Sequence, residues 1–160
     1  GAAGPTLPTC PGENINLALN RPYVLSHSPS NGYPDNGNSQ LTNGIIREQI
    51  YHNTEASVGW QYINPFTITI DLGSVMAVNK VKIYLGGGGD GGINMPQQID
   101  VSVSTDGSSY STVTSKTGMP NVEQWVVIDM PSSAARYVRL QVHNNLEWTM
   151  IGEVEVYCGG

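Results

Sequence analysis

The chain has 160 residues, with 13 Asp and Glu against 7 Lys and Arg, for a net charge of −6 at pH 7. That length suits one domain with a substantial core. The acid excess argues against nucleic acid and against charge-driven attachment to an anionic membrane. No apolar run approaches the ~20 residues that span a bilayer. Charged residues at 12%, beside 19 Gly and 10 Pro, describe short strands joined by turns.

Residues 1–13 carry Pro5, Pro8 and Pro11 among small residues and read as the end of an interdomain linker, leaving 14–158 as the domain. The Gly1-Ala2-Ala3 start reads as a processed end without a signal peptide. A single helical turn fits within 41–46. Period-2 alternation predicts strands at 66–72, 81–85 and 99–104. Asp106-Gly107 predicts a hairpin turn into a strand at 110–113. Further strands are expected at 123–130, 136–142 and 153–157. No segment shows ten residues of helical periodicity. The expected fold is all-β, an antiparallel jelly-roll β-sandwich of about eight strands. The loops at 26–40, 47–62, 86–97 and 143–151 would gather at its ends, where ligands tend to bind.

Enzyme signatures are weak. Residues 86–92 contain a G-x-G-x-x-G, but Asn94-Met95-Pro96 and a strand follow instead of a helix N-terminus. There is no phosphate loop, nucleophile elbow or H-E-x-x-H, and His27, His52 and His143 lack metal spacing. With 13 acids some carboxylate pair is inevitable, so a pair alone means little. The chain is expected not to be an enzyme.

Several motifs stand in a distinctive order: Asn16 to Asn20, Leu41-Thr42-Asn43-Gly44, Ile70-Asp71-Leu72-Gly73, then Ala135 to Val142, Trp148, and Ile151 to Cys158. Together they resemble the discoidin family, also called the coagulation-factor V/VIII type C domain, over residues 14–158. Tyr33-Pro34-Asp35, Gly59-Trp60, Gly91-Gly92-Ile93 and Pro96 resemble a bacterial subgroup of carbohydrate-binding modules appended to secreted polysaccharide-degrading enzymes. The consecutive basic residues of phospholipid-binding relatives are missing. So is a clear fucose-lectin signature.

The two cysteines, Cys10 and Cys158, are either free thiols or a bridge joining the termini. The resemblance implies the bridge, and with it an oxidising, extracellular location. Tyr33 to Gly44 is rich in oxygen donors and turn formers, as calcium requires. The same residues could equally form Asx turns without metal. The resemblance implies a structural calcium, with Asn43 at an Asp position and Glu153 as a ligand. Asp35 would restore the charge that Asn43 lacks.

Sugar rings stack on aromatic faces while their hydroxyls bond to polar side chains. Trp148, flanked by Asn144, Asn145 and Glu147, is expected in a loop as the stacking platform, unless it folds back over the sandwich end. Arg47, Tyr51 and His52 from one loop, and Asp90 and Asn94 from another, would add contacts. Tyr33 and His27 are lesser candidates. The resemblance implies that Trp60, following Gly59 after the calcium loop, packs inside, and Trp125, in the apolar run to Ile128, is expected in the core as well.

The resemblance therefore implies a secreted, noncatalytic module that binds polysaccharide or glycan. It would be monomeric, with no nucleic-acid or membrane partner, and would target a catalytic domain of the same parent polypeptide. One rival is an adhesion module binding protein or membrane through apolar spikes, for which Ile45, Ile46, Ile93 and Met95 are candidates. Another is a small lyase or hydrolase on a jelly roll.

Overall fold

Seven strands form among residues 8–159, which the computed structural model describes. They are β1 (Tyr23–Leu25), β2 (Val58–Gln61), β3 (Phe66–Leu85), β4 (Gln98–Ser104), β5 (Ser111–Thr117), β6 (Gln124–His143) and β7 (Trp148–Cys158). All strand pairings are antiparallel. The expected pairs of strands at 66–72 and 81–85, and at 123–130 and 136–142, each prove to be one 20-residue strand.

β3 and β6 pair along both halves. Phe66–Asp71 lies against Tyr137–Val142, and Met76–Leu85 against Gln124–Ala135, with register shifts between Asp71 and Met76 and between Val78 and Lys80. A bulged strand bends and twists more strongly, so each long strand serves both layers of the sandwich. One layer runs β1, first half of β3, second half of β6, β4, β5. The other runs β2, β7, second half of β3, first half of β6.

The alternation decides what is buried. Ile68, Ile70, Leu72, Val81, Ile83 and Leu85 of β3 face Val126, Ile128, Val138, Leu140 and Val142 of β6 in one apolar core. Trp60 is 1% exposed. Its ring stacks on Phe66 with centroids 4.2 Å apart, and its indole N–H donates to the His27 carbonyl at 3.0 Å. Trp125 corrects the expectation of a second core tryptophan. It falls out of phase with buried Val126 and Ile128, so it points to the outer face and is only half-buried. There it meets Tyr84 edge-on, centroids 5.3 Å apart.

A second apolar cluster of Ile50, Tyr84, Ile93 and Met150 forms on this outer face, with Tyr33, Tyr51, Trp125 and Trp148 packed against it. The loops 45–57 and 86–97 supply Ile50 and Ile93, so both are folded down onto the sheet. The helical turn expected within 41–46 is not formed. Short 3-10 turns occur instead at Asn36–Asn38, Ile50–His52, Thr54–Ala56 and Asp90–Gly92. Residues 41 and 42 bond outward: the Leu41 carbonyl accepts from Val154 N–H and the Thr42 carbonyl from Asn20 N–H.

Cys10 and Cys158 form a disulfide across a sequence separation of 148. Closing a loop of that length stabilises by up to about 5 kcal/mol in the chain-entropy model. Of the expected linker, residues 1–7 lie outside the described residues. Thr9 already belongs to the folded body, bridging to Met76 and accepting from Ala77 N–H. Trp60→Ala should open a cavity beside Phe66 and cost about 3–5 kcal/mol of unfolding free energy, measured by denaturant titration; a variant as stable as wild type would refute the burial argument.

Candidate functional site

The loop 47–57 has little regular structure of its own, and Glu123 at the entry to β6 holds it in place. The Glu123 carboxylate accepts from the backbone N–H groups of Gln49 and Ile50 at 2.8 and 2.9 Å, and from the Tyr84 hydroxyl at 2.6 Å. Burial, reinforced by donation to this carboxylate, pushes the Tyr84 hydroxyl well above its ordinary pKa. Facing this loop, the glycine-rich loop makes its tight turn at Asp90–Gly92. Gly92 has φ +86, and a Cβ there would lie 2.5 Å from Glu147 Oε1. Only glycine lets this loop approach so closely.

Between the two loops lies an open cleft of about 360 Å³. Glu48, Gln49, Ile50 and Tyr51 line it from one loop, Gly87, Asp90 and Ile93 from the other, and Tyr84 and Glu123 from the sheet. Three carboxylates and two tyrosines contribute, and no lining residue is basic. The Tyr51 ring sits 3.8 Å from the His52 ring, and its carbonyl accepts from the Tyr33 hydroxyl at 3.1 Å.

Of the residues singled out in the sequence, Tyr51 and Asp90 line this cleft. His52 is exposed beside Tyr51, and Arg47 is exposed with its guanidinium 3.8 Å from Glu55. Trp148 and Asn144 behave differently from expectation. Trp148 is the first residue of β7, not a loop residue. It is half-buried against the second apolar cluster, edge-on to Tyr33 at 5.3 Å. Asn144 is 2% exposed. Its amide donates to the carbonyls of Asn94 and Trp148 and to Thr149 Oγ1, so it is a structural clamp.

Glu147 accepts from Gln61 Nε2 at 2.7 Å. Asn94 accepts from Asn121 Nδ2 at 2.9 Å. Asn145 is exposed, with its N–H donating to Gln97 Oε1. His27 is exposed and bonded to Ser26. Ile93 and Met95 are buried, which removes two of the four apolar spikes that an adhesion surface would need.

Glu48, Gln49, Tyr84 and Glu123 escaped sequence reasoning. Glu123 and Tyr84 are 39 residues apart and meet only through the pairing of β3 with β6.

Of the expected metal ligands, Glu153 is brought beside Asn43 through its bond to Gly44 N–H. Among the described residues, no group of three or more His, Cys, Asp or Glu is disposed to hold a metal. Asp35 is occupied: one oxygen accepts from the Tyr23 hydroxyl at 2.6 Å, the other from the N–H groups of Ser39 and Gln40. Asn43 Oδ1 accepts from Ile45 N–H in an Asx turn. Glu153 stands apart. It is 0% exposed, and its Oε2 accepts from Gly44 N–H at 2.7 Å. Its Oε1 has no hydrogen-bond partner among the described residues. Burial pushes this carboxyl up to about 8.

The domain is thus an all-β sandwich with an open cleft between two of its loops. The F5/8 type C domain family matches residues 27–154, and the chain belongs to that family. Solved structures share the fold. A chitosan-binding module from a chitosanase/glucanase of Paenibacillus sp. IK-5 is 22% identical, over 90% of this chain and 99% of that one, with a TM-score of 0.65. A Clostridium perfringens carbohydrate-binding module in complex with GalNAc-β-1,3-galactose is 22% identical, over 90% and 100%, with a TM-score of 0.66. The lectin domain of lectinolysin, complexed with Lewis B antigen, is 20% identical, over 93% and 100%, with a TM-score of 0.70. No curated protein sequence matches significantly. No helix among the described residues is long and apolar enough to cross a membrane.

The raised Glu153 carboxyl has a consequence for stability. It binds its proton in the folded state up to about pH 8 but releases it near 4.5 when unfolded. Between those values the unfolded chain holds fewer protons, so stability falls as pH rises. In the absence of divalent cations, the melting temperature should decline from pH 4.5 to 8, and Glu153→Gln should flatten that decline; a wild-type profile level across this window would count against the assignment.

Proposed function

We propose that this domain is a noncatalytic carbohydrate-binding module and that the cleft between Tyr51 and Asp90 receives the sugar. The observation that carries this reading is the composition of the cleft: Tyr51 and Tyr84 beside Glu48, Asp90 and Glu123, with no basic lining residue. Tyrosine rings cover the C–H face of a pyranose at little entropic cost. Carboxylates accept from sugar hydroxyls, and do so more strongly from an ammonium group. The cleft therefore favours neutral or amino sugars and repels uronates. Glu123 already accepts three hydrogen bonds, so it serves as an anchor and not as a free acid or base.

Such an open site supports binding on the order of −4 to −6 kcal/mol, or high-micromolar to millimolar dissociation constants. Weak binding suits a tether. Attached to a catalytic domain in the same polypeptide, the module raises the local concentration of substrate. The Cys10–Cys158 bridge supports an oxidising, extracellular setting.

Calorimetry with neutral and amino-sugar oligosaccharides tests this. Tyr51→Ala should abolish detectable binding while the variant stays folded by circular dichroism, although it also loses packing against the second cluster. Trp148→Ala should lower the melting temperature by several degrees, because its ring packs against Tyr33 and the second cluster. Unchanged affinity in Tyr51→Ala would show that the sugar binds elsewhere.

We also propose that Glu153 holds a structural calcium. A fully buried carboxyl with one unpartnered oxygen either keeps its proton or exchanges it for a cation that compensates the charge. Glu153 Oε1 fits that role, with the amide oxygen of Asn43 and backbone carbonyls of the 35–44 segment as further hard donors. Asp35 is the weakest of the expected ligands, since both its oxygens already accept. When bound, the ion would neutralise the Glu153 charge and pin Gly44 to β7. Calcium should raise the melting temperature of wild type, chelator should reverse this, and Glu153→Gln should respond to neither. Identical wild-type melting with and without calcium would falsify the site.

A further inference from the structure

A second concavity, of about 390 Å³, lies on the outer face of the β1–β3–β6–β4–β5 sheet, with no residue in common with the cleft. Its floor follows from register. Val24, Thr69 and Arg139 share one row, and Asp71 and Tyr137 are paired in the next. Their neighbours Ile70, Val138 and Leu140 point into the core, so these five face out. Val24 is 71% exposed. The turn after β4 closes the other side. Gly107 has φ +81, and a Cβ there would stand 3.0 Å from Tyr137 Cε2, so the backbone rests directly on the tyrosine ring.

Arg139 is the uncommon feature. Its guanidinium carbon lies 3.7 Å above the centroid of the Tyr110 ring, and Nε donates to Thr69 Oγ1 at 2.9 Å. Stacking and this bond fix the plane of the fork. Its two terminal nitrogens have no acceptor and no ion-pair partner among the described residues.

The carboxylate in the same trough is already taken. Asp71 receives both Arg136 Nε and Nη2, at 2.9 and 3.1 Å, and the field of Arg21 also reaches it. Asp106, in the adjoining turn, is folded back on the N–H groups of Ser108 and Ser109. Three of the chain's 7 basic residues thus gather on one face of a protein of net charge −6. A planar, immobilised and unpaired guanidinium is built for bidentate binding of a carboxylate. Val24 and the Tyr137 ring add the apolar surface that a sugar ring requires.

We propose that this trough binds a carboxylate-bearing sugar, a uronosyl residue of an acidic glycan, independently of the cleft. The cleft then presents carboxylates and the trough an unpaired guanidinium, so the two sites take different parts of a heterogeneous polysaccharide.

Amide chemical-shift titration of the wild-type domain with trigalacturonate tests this. Shifts should centre on Val24, Thr69, Gly107, Tyr137 and Arg139 and spare Glu48 to Tyr51 and Asp90. The methyl ester of the same oligosaccharide should bind at least tenfold more weakly. Arg139→Gln should also weaken trigalacturonate at least tenfold. If Arg139→Gln disturbs folding, Val24→Glu decides: at a highly exposed position it sets a competing carboxylate at the mouth of the trough and should give the same loss. The proposal is overturned if the ester binds as well as the acid. It is overturned equally if acetate at matched carboxylate concentration produces the same shifts, if the shifts map to the cleft, or if a folded Arg139→Gln or Val24→Glu variant binds as wild type does.

Discussion

The antiparallel pairing of β3 with β6 is the contact on which the rest of the molecule depends. Both strands run through the two layers and bend at the same register shifts, so the layers are joined by continuous backbone as well as by packing. The inward alternation of Ile68, Ile70, Val81 and Ile83 against Val126, Ile128, Val138 and Leu140 then buries a core that neither layer could bury alone. The disulfide closes the outside of this frame, and Trp60 on Phe66 fills one of its ends.

The same ladder positions both concave sites. It brings Tyr84 beside Trp125 and within reach of Glu123, whose carboxylate captures two amides of the 47–57 loop. It also aligns Thr69 with Arg139 and Asp71 with Tyr137 on the opposite layer. One element pair thus presents an acidic cleft at one place and a trough with an unpaired guanidinium at another. A net charge of −6 describes neither site; local pairing decides what field a ligand meets.

Residues that look like binding groups by type divide sharply by satisfaction. Asn144 spends its amide on three backbone and side-chain acceptors, and Asp35 spends both oxygens on protein donors. Polar groups so committed are costly to redirect to a ligand. Tyr51, Glu48, Asp90 and Arg139 keep free surface or free hydrogen-bonding capacity, and they are the groups that face the two concavities.

Alternation of apolar and polar residues indicated most of the strands, the Asp106-Gly107 turn and the all-β class, because side-chain direction in a strand depends only on local backbone geometry. The short strands Tyr23–Leu25 and Val58–Gln61 were not legible, since three or four residues carry too little alternation and only their pairing with β3 and β7 makes them strands. The order of motifs from Asn16 to Cys158 was enough to indicate the family. The family resemblance made Trp60 legible as core, and the structure places it against Phe66. The fates of Trp148, Trp125 and Asn144 were not legible, since phase within a strand and the loop folded over it decide burial. The Glu123 anchor joins residues 73 and 74 positions apart, and the Arg139 trough joins strands more than 60 residues apart. Sequence spacing carries no record of such meetings; only the folded ladder of β3 on β6 creates them.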